Sequence, residues 1–142
     1  MLDSIELNIC DMQGMLFEWS AKEGYDSKDF IEKFMKSDTA TDLDKKFNHM
    51  QWAGQGYIIS RVAEEDKPIK SDNVYDNERL YWAGYVYRYW HYYTGETSKE
   101  IYKQAPAETM RAVYLMYHTM SPEMAIDRLK ESYKTRRSKR YE

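Results

Sequence analysis

The sequence predicts an all-α fold, a compact helical bundle, on three observations. Apolar residues recur at helical spacing through most of the 142 residues. Capping residues and glycines mark where these periodic segments begin and end. The chain contains only 6 Gly and 3 Pro but 42% hydrophobic residues, which is enough for the core of one ordinary domain.

The chain begins with two predicted helices. The first occupies residues 2–19, whose apolar side chains fall mainly on one stripe. Gly24 ends it, because glycine adopts positive φ with little strain. Asp26 or Ser27 then caps a short second helix. Its apolar residues are Phe30, Ile31, Phe34 and Met35.

The next part of the chain is predicted to hold a third helix, an ambiguous segment and a linker. Residues 37–39 form a capping cluster at the start of the helix. Its apolar residues are Ala40, Leu43, Phe47 and Met50. Residues 57–62 suit a strand or a helix, because their β-branched side chains leave both open. Residues 63–77 are charged and turn-rich, and Pro68 disfavours helix just before it.

The most aromatic helix follows the linker. Asp76 or Asn77 is predicted to cap it, and Gly95 to end it after Tyr93. Residues 97–100 have the capping-box pattern at the start of the next helix. Two later helices begin near a proline, which suits the first turn because its missing N–H is not needed there. These prolines are Pro106 and Pro122.

An offset of 71 residues aligns the two halves of the chain. The matched pairs are Trp19 with Trp90, Gly24 with Gly95, Ser27 with Ser98, Lys28 with Lys99, Asp29 with Glu100 and Phe30 with Ile101. This match predicts two related helical units that pack on each other, although capping rules alone also produce such a pattern. The predicted parts are repeat 1 (1–66), a linker (67–77), repeat 2 (78–133) and a basic tail (134–142), with a single globular unit as the alternative.

The aromatic helix is the strongest candidate for a binding site. Residues 75–93 contain seven of the 14 Tyr, and they are apolar on nearly every face of a helix. One interpretation is a central helix whose tyrosine hydroxyls form hydrogen bonds with acidic side chains elsewhere in the chain. A second is a partner-binding surface, and a third is a platform on which bases stack. The predicted partner-binding residues are Tyr81, Tyr85, Arg88, Tyr89 and Tyr92.

Charge is distributed unevenly along the chain. The total of 21 Lys+Arg and 24 Asp+Glu gives −3, but residues 134–142 carry +4 and residues 1–133 carry −7. A basic tail can bind phosphates, or it can serve as a solvated helix end that suits the helix dipole. The predicted nucleic-acid-binding residues are Lys134, Arg136, Arg137, Lys139 and Arg140.

No catalytic, metal or cofactor motif is predicted. Cys10 stands alone and is interpreted as a packing thiol. His49, His91 and His118 lack metal-ligand spacing. Arg88 and His91 resemble, at a shorter spacing, the Arg-His element of helical HEPN ribonucleases. The sequence shows no signal peptide or membrane helix, so a cytoplasmic location is expected.

The N-terminal half resembles a family of small bacterial helical proteins. The matching residues are Ser27-Lys28-Asp29-Phe30-Ile31, Phe34-Met35, Ser37, Leu43-Asp44 and Gln51-Trp52-Ala53-Gly54 with Tyr57-Ile58. Members of this family are encoded beside ADP-ribosyltransferase-like toxins, in presumed toxin–antitoxin or phage-defence cassettes. The second half is similar to another protein of these cassettes, from Tyr81-Trp82-Ala83-Gly84-Tyr85 to Met124-Ala125-Ile126. The resemblance implies a partner-binding role and transfers no catalytic residue.

These observations lead to three functional hypotheses. The preferred one is a non-enzymatic protein-binding module, antitoxin-like or an accessory subunit, whose partner is a cognate toxin. The alternative is a nucleic-acid-binding regulator that uses a helix-turn-helix and the basic tail. The third is a HEPN-like ribonuclease. A homo-oligomer is compatible with each of them.

Overall fold

The computed structural model describes residues 2–45 and 52–140, with side chains described as far as Ser138. Over these ranges the regular structure is helical, and the predicted all-α bundle is confirmed. The helices are α1 (Ser4–Lys22), α2 (Ser27–Met35), α3 (Asp38–Asp44), α4 (Gln55–Glu65), α5 (Asn77–Thr94), α6 (Ser98–Gln104), α7 (Ala107–Tyr117) and α8 (Pro122–Arg140).

The predicted capping residues begin the helices. Each N-cap side chain accepts a hydrogen bond from the backbone N–H three residues further on, which satisfies a donor of the first turn. These N-caps are Asp26 of α2, Ser37 of α3, Asp76 of α5 and Thr97 of α6. Thr97 and Glu100 form the predicted capping box. Gly24 and Gly95 have φ of +77° and +80° after α1 and α5.

Two segments left open or approximate by the sequence are settled by the structure. Residues 57–62 are helical, because a helix places Ile58, Ile59 and Val62 together on one buried side of α4. Pro106 immediately precedes α7 rather than lying in its first turn. The predicted apolar positions Phe47 and Met50 lie outside the described residues.

Helices α1 and α5 form the centre of the bundle and cross in opposite directions. Gly14 of α1 lies against Tyr81 near the start of α5, while Gln13, one residue earlier in α1, bonds to Gly84 and Arg88 further along α5. Helix α5 also packs against α6, α7 and α8. Its burial on several sides confirms the prediction of a central helix. Its buried residues are Leu80, Ala83, Gly84, Val86, Tyr87, Arg88, Tyr89 and Trp90.

The segment between α4 and α5 lies across the start of α2. The Asp26 N–H donates to the carbonyl oxygen of Ile69 at 2.8 Å, and the Ser27 N–H donates to that of Asn73 at 2.9 Å. The Tyr75 N–H donates to the Ser27 hydroxyl oxygen at 2.8 Å. The first two bonds satisfy backbone donors at the start of α2, and all three fix the predicted linker to the first half of the chain.

Helix α8 continues to Arg140, so residues 134–140 are the last turns of a helix. No described helix is long and apolar enough to cross a membrane. The predicted division into two repeats, a linker and a tail stays a prediction.

Candidate partner-binding site

The five predicted partner-binding residues have different environments. Tyr81 and Tyr85 are half-buried and line an open groove. Arg88 and Tyr89 are buried in the bundle, with relative exposures of 1% and 6%. Tyr92 is half-buried and its hydroxyl is buried. Two of the five therefore reach a surface where a partner could contact them directly.

The groove has a volume of about 620 Å³ and lies among α1, α5, α7 and the start of α8. This volume is in the range of ordinary ligand and side-chain pockets. Most of its lining is aromatic or apolar. The lining residues are Glu18, Asn77, Glu78, Tyr81, Trp82, Tyr85, Val86, Tyr114, His118, Met120 and Pro122.

Ring contacts fix the aromatic walls of the groove. The Tyr81 and Tyr85 ring centroids are 6.0 Å apart, one helical turn from each other on α5. Trp82 meets the Tyr114 ring edge to face at 5.8 Å, and Tyr114 stacks on His118 at 4.4 Å. Both arrangements are favourable for aromatic pairs. The walls are therefore ordered before any partner binds.

Two carboxylates face this aromatic lining. Glu18 comes from α1 and Glu78 from the first turn of α5. The Tyr114 hydroxyl donates to Glu78 Oε2 at a long 3.4 Å. Neither carboxylate forms an ion pair within residues 2–45 and 52–138. The groove is therefore apolar on its walls and negatively charged at two points.

The elements that close the groove also expose large apolar side chains. Leu115 and Met116 on α7 are 68% and 63% exposed, and Met124 on α8 is 50% exposed. Leu115 directly follows the groove residue Tyr114, and exposed large apolar side chains are typical of protein-binding surfaces. Methionine suits such surfaces because its flexible thioether adapts to different partners.

Tyrosine hydroxyls of α5 bond to carboxylates of neighbouring helices, as the first interpretation of the aromatic helix predicts. The Tyr81 hydroxyl donates to Asp11 Oδ1 of α1. The Tyr93 hydroxyl donates to Asp127 Oδ1 of α8 at 3.1 Å. Burial, and then the hydrogen bond to Asp11, raise the pKa of Tyr81 well above its ordinary value. The hydroxyl therefore stays a neutral donor.

Arg88 lies at the centre of a buried polar cluster. Its Nε donates to Gln13 Oε1 at 2.8 Å, and its Nη1 donates to Asp44 Oδ1 at 2.7 Å. The Asp44 carboxylate also accepts from the Ser98 N–H at 2.8 Å and from the Ser98 hydroxyl at 2.7 Å. Gln13 completes the cluster by donating to the Gly84 carbonyl oxygen at 2.9 Å. The cluster joins α1, α3, α5 and the start of α6.

Two polar atoms of this region are buried without a hydrogen-bond partner. They are Arg88 Nη2 and the Tyr92 hydroxyl, one helical turn apart on α5. Burial is the main cause that raises the pKa of Tyr92 to about 12. The guanidinium is enclosed by protein, so Arg88 holds the helices together rather than presenting its charge to a partner.

The arrangement of Arg88 and His91 gives no support to the ribonuclease hypothesis. His91 Nδ1 lies 2.7 Å from the carbonyl oxygen of Glu96 and 3.8 Å from Asp44 Oδ1. The Arg88 side chain is not exposed to solvent, so an RNA phosphate has no access to it.

Histidine and acidic side chains form no metal centre in the described part of the chain. No group of three or more His, Cys, Asp or Glu there is placed to hold an ion. His118 is exposed, and its Nδ1 lies 2.7 Å from the Tyr114 carbonyl oxygen at the end of α7. His49 lies outside the described residues.

The basic side chains near the C-terminus are partly engaged within the chain. Arg136 Nη2 donates to the Gln104 carbonyl oxygen at 3.2 Å. The Arg137 guanidinium lies 5.7 Å from the Tyr133 ring centroid, and Lys134 is exposed. The side chains of Lys139 and Arg140 lie outside the described residues. Nucleic-acid binding by this helix end stays a prediction.

The sequence singled out Tyr81 and Tyr85 of the groove but missed the rest of its lining. Glu18, Tyr114 and His118 come from other helices and meet α5 only through the tertiary fold. Trp82 had a usable signal, because it lies next to Tyr81 and one turn from Val86 on the same helix.

Comparison of the chain with protein-family models, curated proteins and solved structures finds no match. The fold defines the class of protein as an all-α helical bundle, and its function is argued from the groove itself.

Proposed function

We propose that the chain is a non-enzymatic protein-binding module whose partner docks at the groove. The observation that carries the proposal is an aromatic groove of about 620 Å³ whose bounding helices also carry exposed apolar side chains. Leu115 would contact the partner beside the groove, while Trp82 and Tyr85 would anchor it.

The physical reason is that burial of such an apolar surface against a partner is more favourable than its exposure to water. Tyr and Trp bury large areas at low entropic cost and are enriched among the residues that dominate interface energies. The groove walls are held by ring contacts, so binding requires little ordering of this surface.

We propose further that the partner is a toxin, so that the chain acts as an antitoxin or accessory subunit. Support comes from the resemblance of its sequence to proteins of toxin–antitoxin and phage-defence cassettes. Inhibition by an antitoxin requires a stable complex, which suits a preformed groove better than a catalytic site.

Co-expression with the product of the adjacent gene tests the proposal. We expect the two proteins to co-elute on size exclusion at micromolar concentration. The variant Leu115→Glu should weaken the complex at least tenfold, because the change buries a charge at the interface. The Leu115 side chain is exposed, so folding should be unaffected.

Ile69→Glu is the matched control, because Ile69 is an aliphatic side chain of similar exposure, 57%, and does not line the groove. It should leave the complex unchanged. Separate elution of the two wild-type proteins, or equal weakening by the control and by the α7 variant, would contradict the proposal.

A further inference from the structure

We infer that the groove binds an arginine side chain of the partner, an inference that rests on the proposed partner-binding function. The groove combines aromatic walls, formed by Tyr81, Trp82 and Tyr85, with the carboxylates of Glu18 and Glu78. Apolar walls alone would accept any hydrophobic segment. The two acids make the groove selective for a cation.

The carboxylates supply the charge complementarity. Neither forms an ion pair in the described part of the chain, and the Arg79 guanidinium beside the groove pairs with Asp76 instead. Facing an apolar wall, such a charge interacts more strongly with a ligand cation than it would in open solvent. The net charge of −7 over residues 1–133 also attracts a basic partner.

The aromatic walls supply the second half of the recognition. A cation is attracted to the face of an aromatic ring, and Trp gives the strongest such interaction. The chain already uses arginine in this way beside the groove. The Arg79 guanidinium lies 5.0 Å from the ring centroid of Tyr114, which is itself part of the groove wall.

Arginine fits these walls better than lysine does. Its guanidinium is planar, stacks on aromatic rings, and is more weakly hydrated than an ammonium group. Its two parallel N–H groups can also donate to both oxygens of one carboxylate. In the described part of the chain, Arg79 and Arg111 lie 5.0 Å from the ring centroids of Tyr114 and Tyr75, while Arg137, Lys36 and Lys130 lie 5.7–5.9 Å from the rings that they contact.

The test uses the full chain and N-acetyl-L-arginine N-methylamide as the probe. The readout is the ¹⁵N–¹H signal of the Trp82 indole, assigned with Trp82→Phe. We expect this signal to shift in a saturable manner at millimolar probe concentration. The neutral citrulline analogue has nearly the same shape without the charge, and it should shift the signal at least fivefold less.

Charge variants test the role of the acids. Glu18→Gln/Glu78→Gln should weaken probe binding at least fivefold. Glu64→Gln/Glu131→Gln changes the net charge equally at two exposed glutamates outside the groove and should have little effect. Far-ultraviolet circular dichroism checks that each variant is folded.

Three results would overturn the inference: no shift of Trp82 with the arginine probe, equal shifts with the citrulline analogue or with N-acetyl-L-lysine N-methylamide, or equal weakening by the two double variants. None of these results affects the co-elution experiment. A complex that forms and is weakened by the α7 variant, together with a negative probe result, would retain partner binding and exclude arginine as the occupant.

Discussion

Gly14 and Gly84 face each other where α1 crosses α5. A Cβ atom built on Gly84 would lie 2.5 Å from the carbonyl oxygen of Gln13 and 3.0 Å from the Gly14 Cα. One built on Gly14 would lie 2.6 Å from the Tyr81 ring and 2.9 Å from the Tyr81 carbonyl oxygen. The two central helices therefore approach closely because both lack a side chain at this point.

The first prediction concerns this crossing. Gly84→Ala should reduce the free energy of unfolding by about 2 kcal/mol or more, because the new methyl group overlaps backbone atoms that have little room to move. In an open helix the same change is stabilising, by roughly 0.5–1 kcal/mol. Urea denaturation of the two proteins measures the difference.

Gly56→Ala is the matched control, since its added Cβ would meet only the Trp19 ring, at 3.6 Å. It should leave stability unchanged or slightly higher. Equal stability of Gly84→Ala and the wild type would show that the helices separate at little cost.

The second prediction concerns the buried ion pair. Asp44→Ala should cost about 3–5 kcal/mol, because it leaves the Arg88 guanidinium buried without its counter-charge. It also removes the acceptor of the Ser98 N–H and hydroxyl at the start of α6. Chemical denaturation measures the loss.

Asp42→Ala should cost less than about 1 kcal/mol, because Asp42 pairs with Arg61 and Lys45 near the surface. The double variant Asp44→Ala/Arg88→Met should recover part of the stability, because it also removes the unpaired charge. No recovery would mean that the capping bonds to Ser98 carry most of the effect.

The third prediction concerns stability in acid. Burial of the Glu96 carboxyl would by itself raise its pKa, but hydrogen bonds from Lys130, Trp90 and Gln104 together lower the pKa to about 2. In the unfolded chain the pKa is near 4.5. The carboxylate therefore contributes its full stabilisation, on the order of 3 kcal/mol, above about pH 5, and loses it as the pH falls from 4.5 towards 2.

Glu96→Gln should lower stability at pH 7 and flatten the decline between about pH 5 and pH 3, as measured by thermal unfolding across that range. Glu131→Gln is the control, because that glutamate is exposed and should leave the pH profile as it is. A steep decline retained in Glu96→Gln would assign the acid sensitivity to other carboxyls.

The fourth prediction concerns the single thiol. Cys10 is fully buried, and burial is the main cause that raises its pKa to about 12. The thiolate is the reactive form, so the native protein should react very slowly with a thiol-specific reagent at pH 8. One thiol per chain should react promptly in denaturant. Prompt reaction under native conditions would show that α1 opens readily.

Local rules predict most of the helix boundaries. Asp26, Ser37, Asp76 and Thr97 cap the helices that the sequence assigns to them, because a cap depends on residues three positions apart. Residues 57–62 were ambiguous because their β-branched content is compatible with both strand and helix. Packing of Ile58, Ile59 and Val62 in the core decides for the helix.

Long-range relationships lie beyond such rules. From sequence alone, an arginine is expected at the surface. Arg88 is nevertheless buried, because Asp44 and Gln13, which are distant along the chain, form hydrogen bonds with its guanidinium. The groove likewise depends on Glu18 and Tyr114 meeting α5 from two other helices. The aromatic pattern of residues 75–93 therefore predicts a central helix but not which of its faces stays open.

The salt bridge between Asp44 and Arg88 also has a consequence for splitting the chain. A cut between residues 66 and 76 would leave Asp44 on one fragment and Arg88 on the other. Each fragment would then lack the counter-charge that its own charged group needs in order to be buried. Opposite charges and exposed core faces would draw the fragments together. The protein is thus suited to fragment complementation, in which the folded form reports that two polypeptides have met.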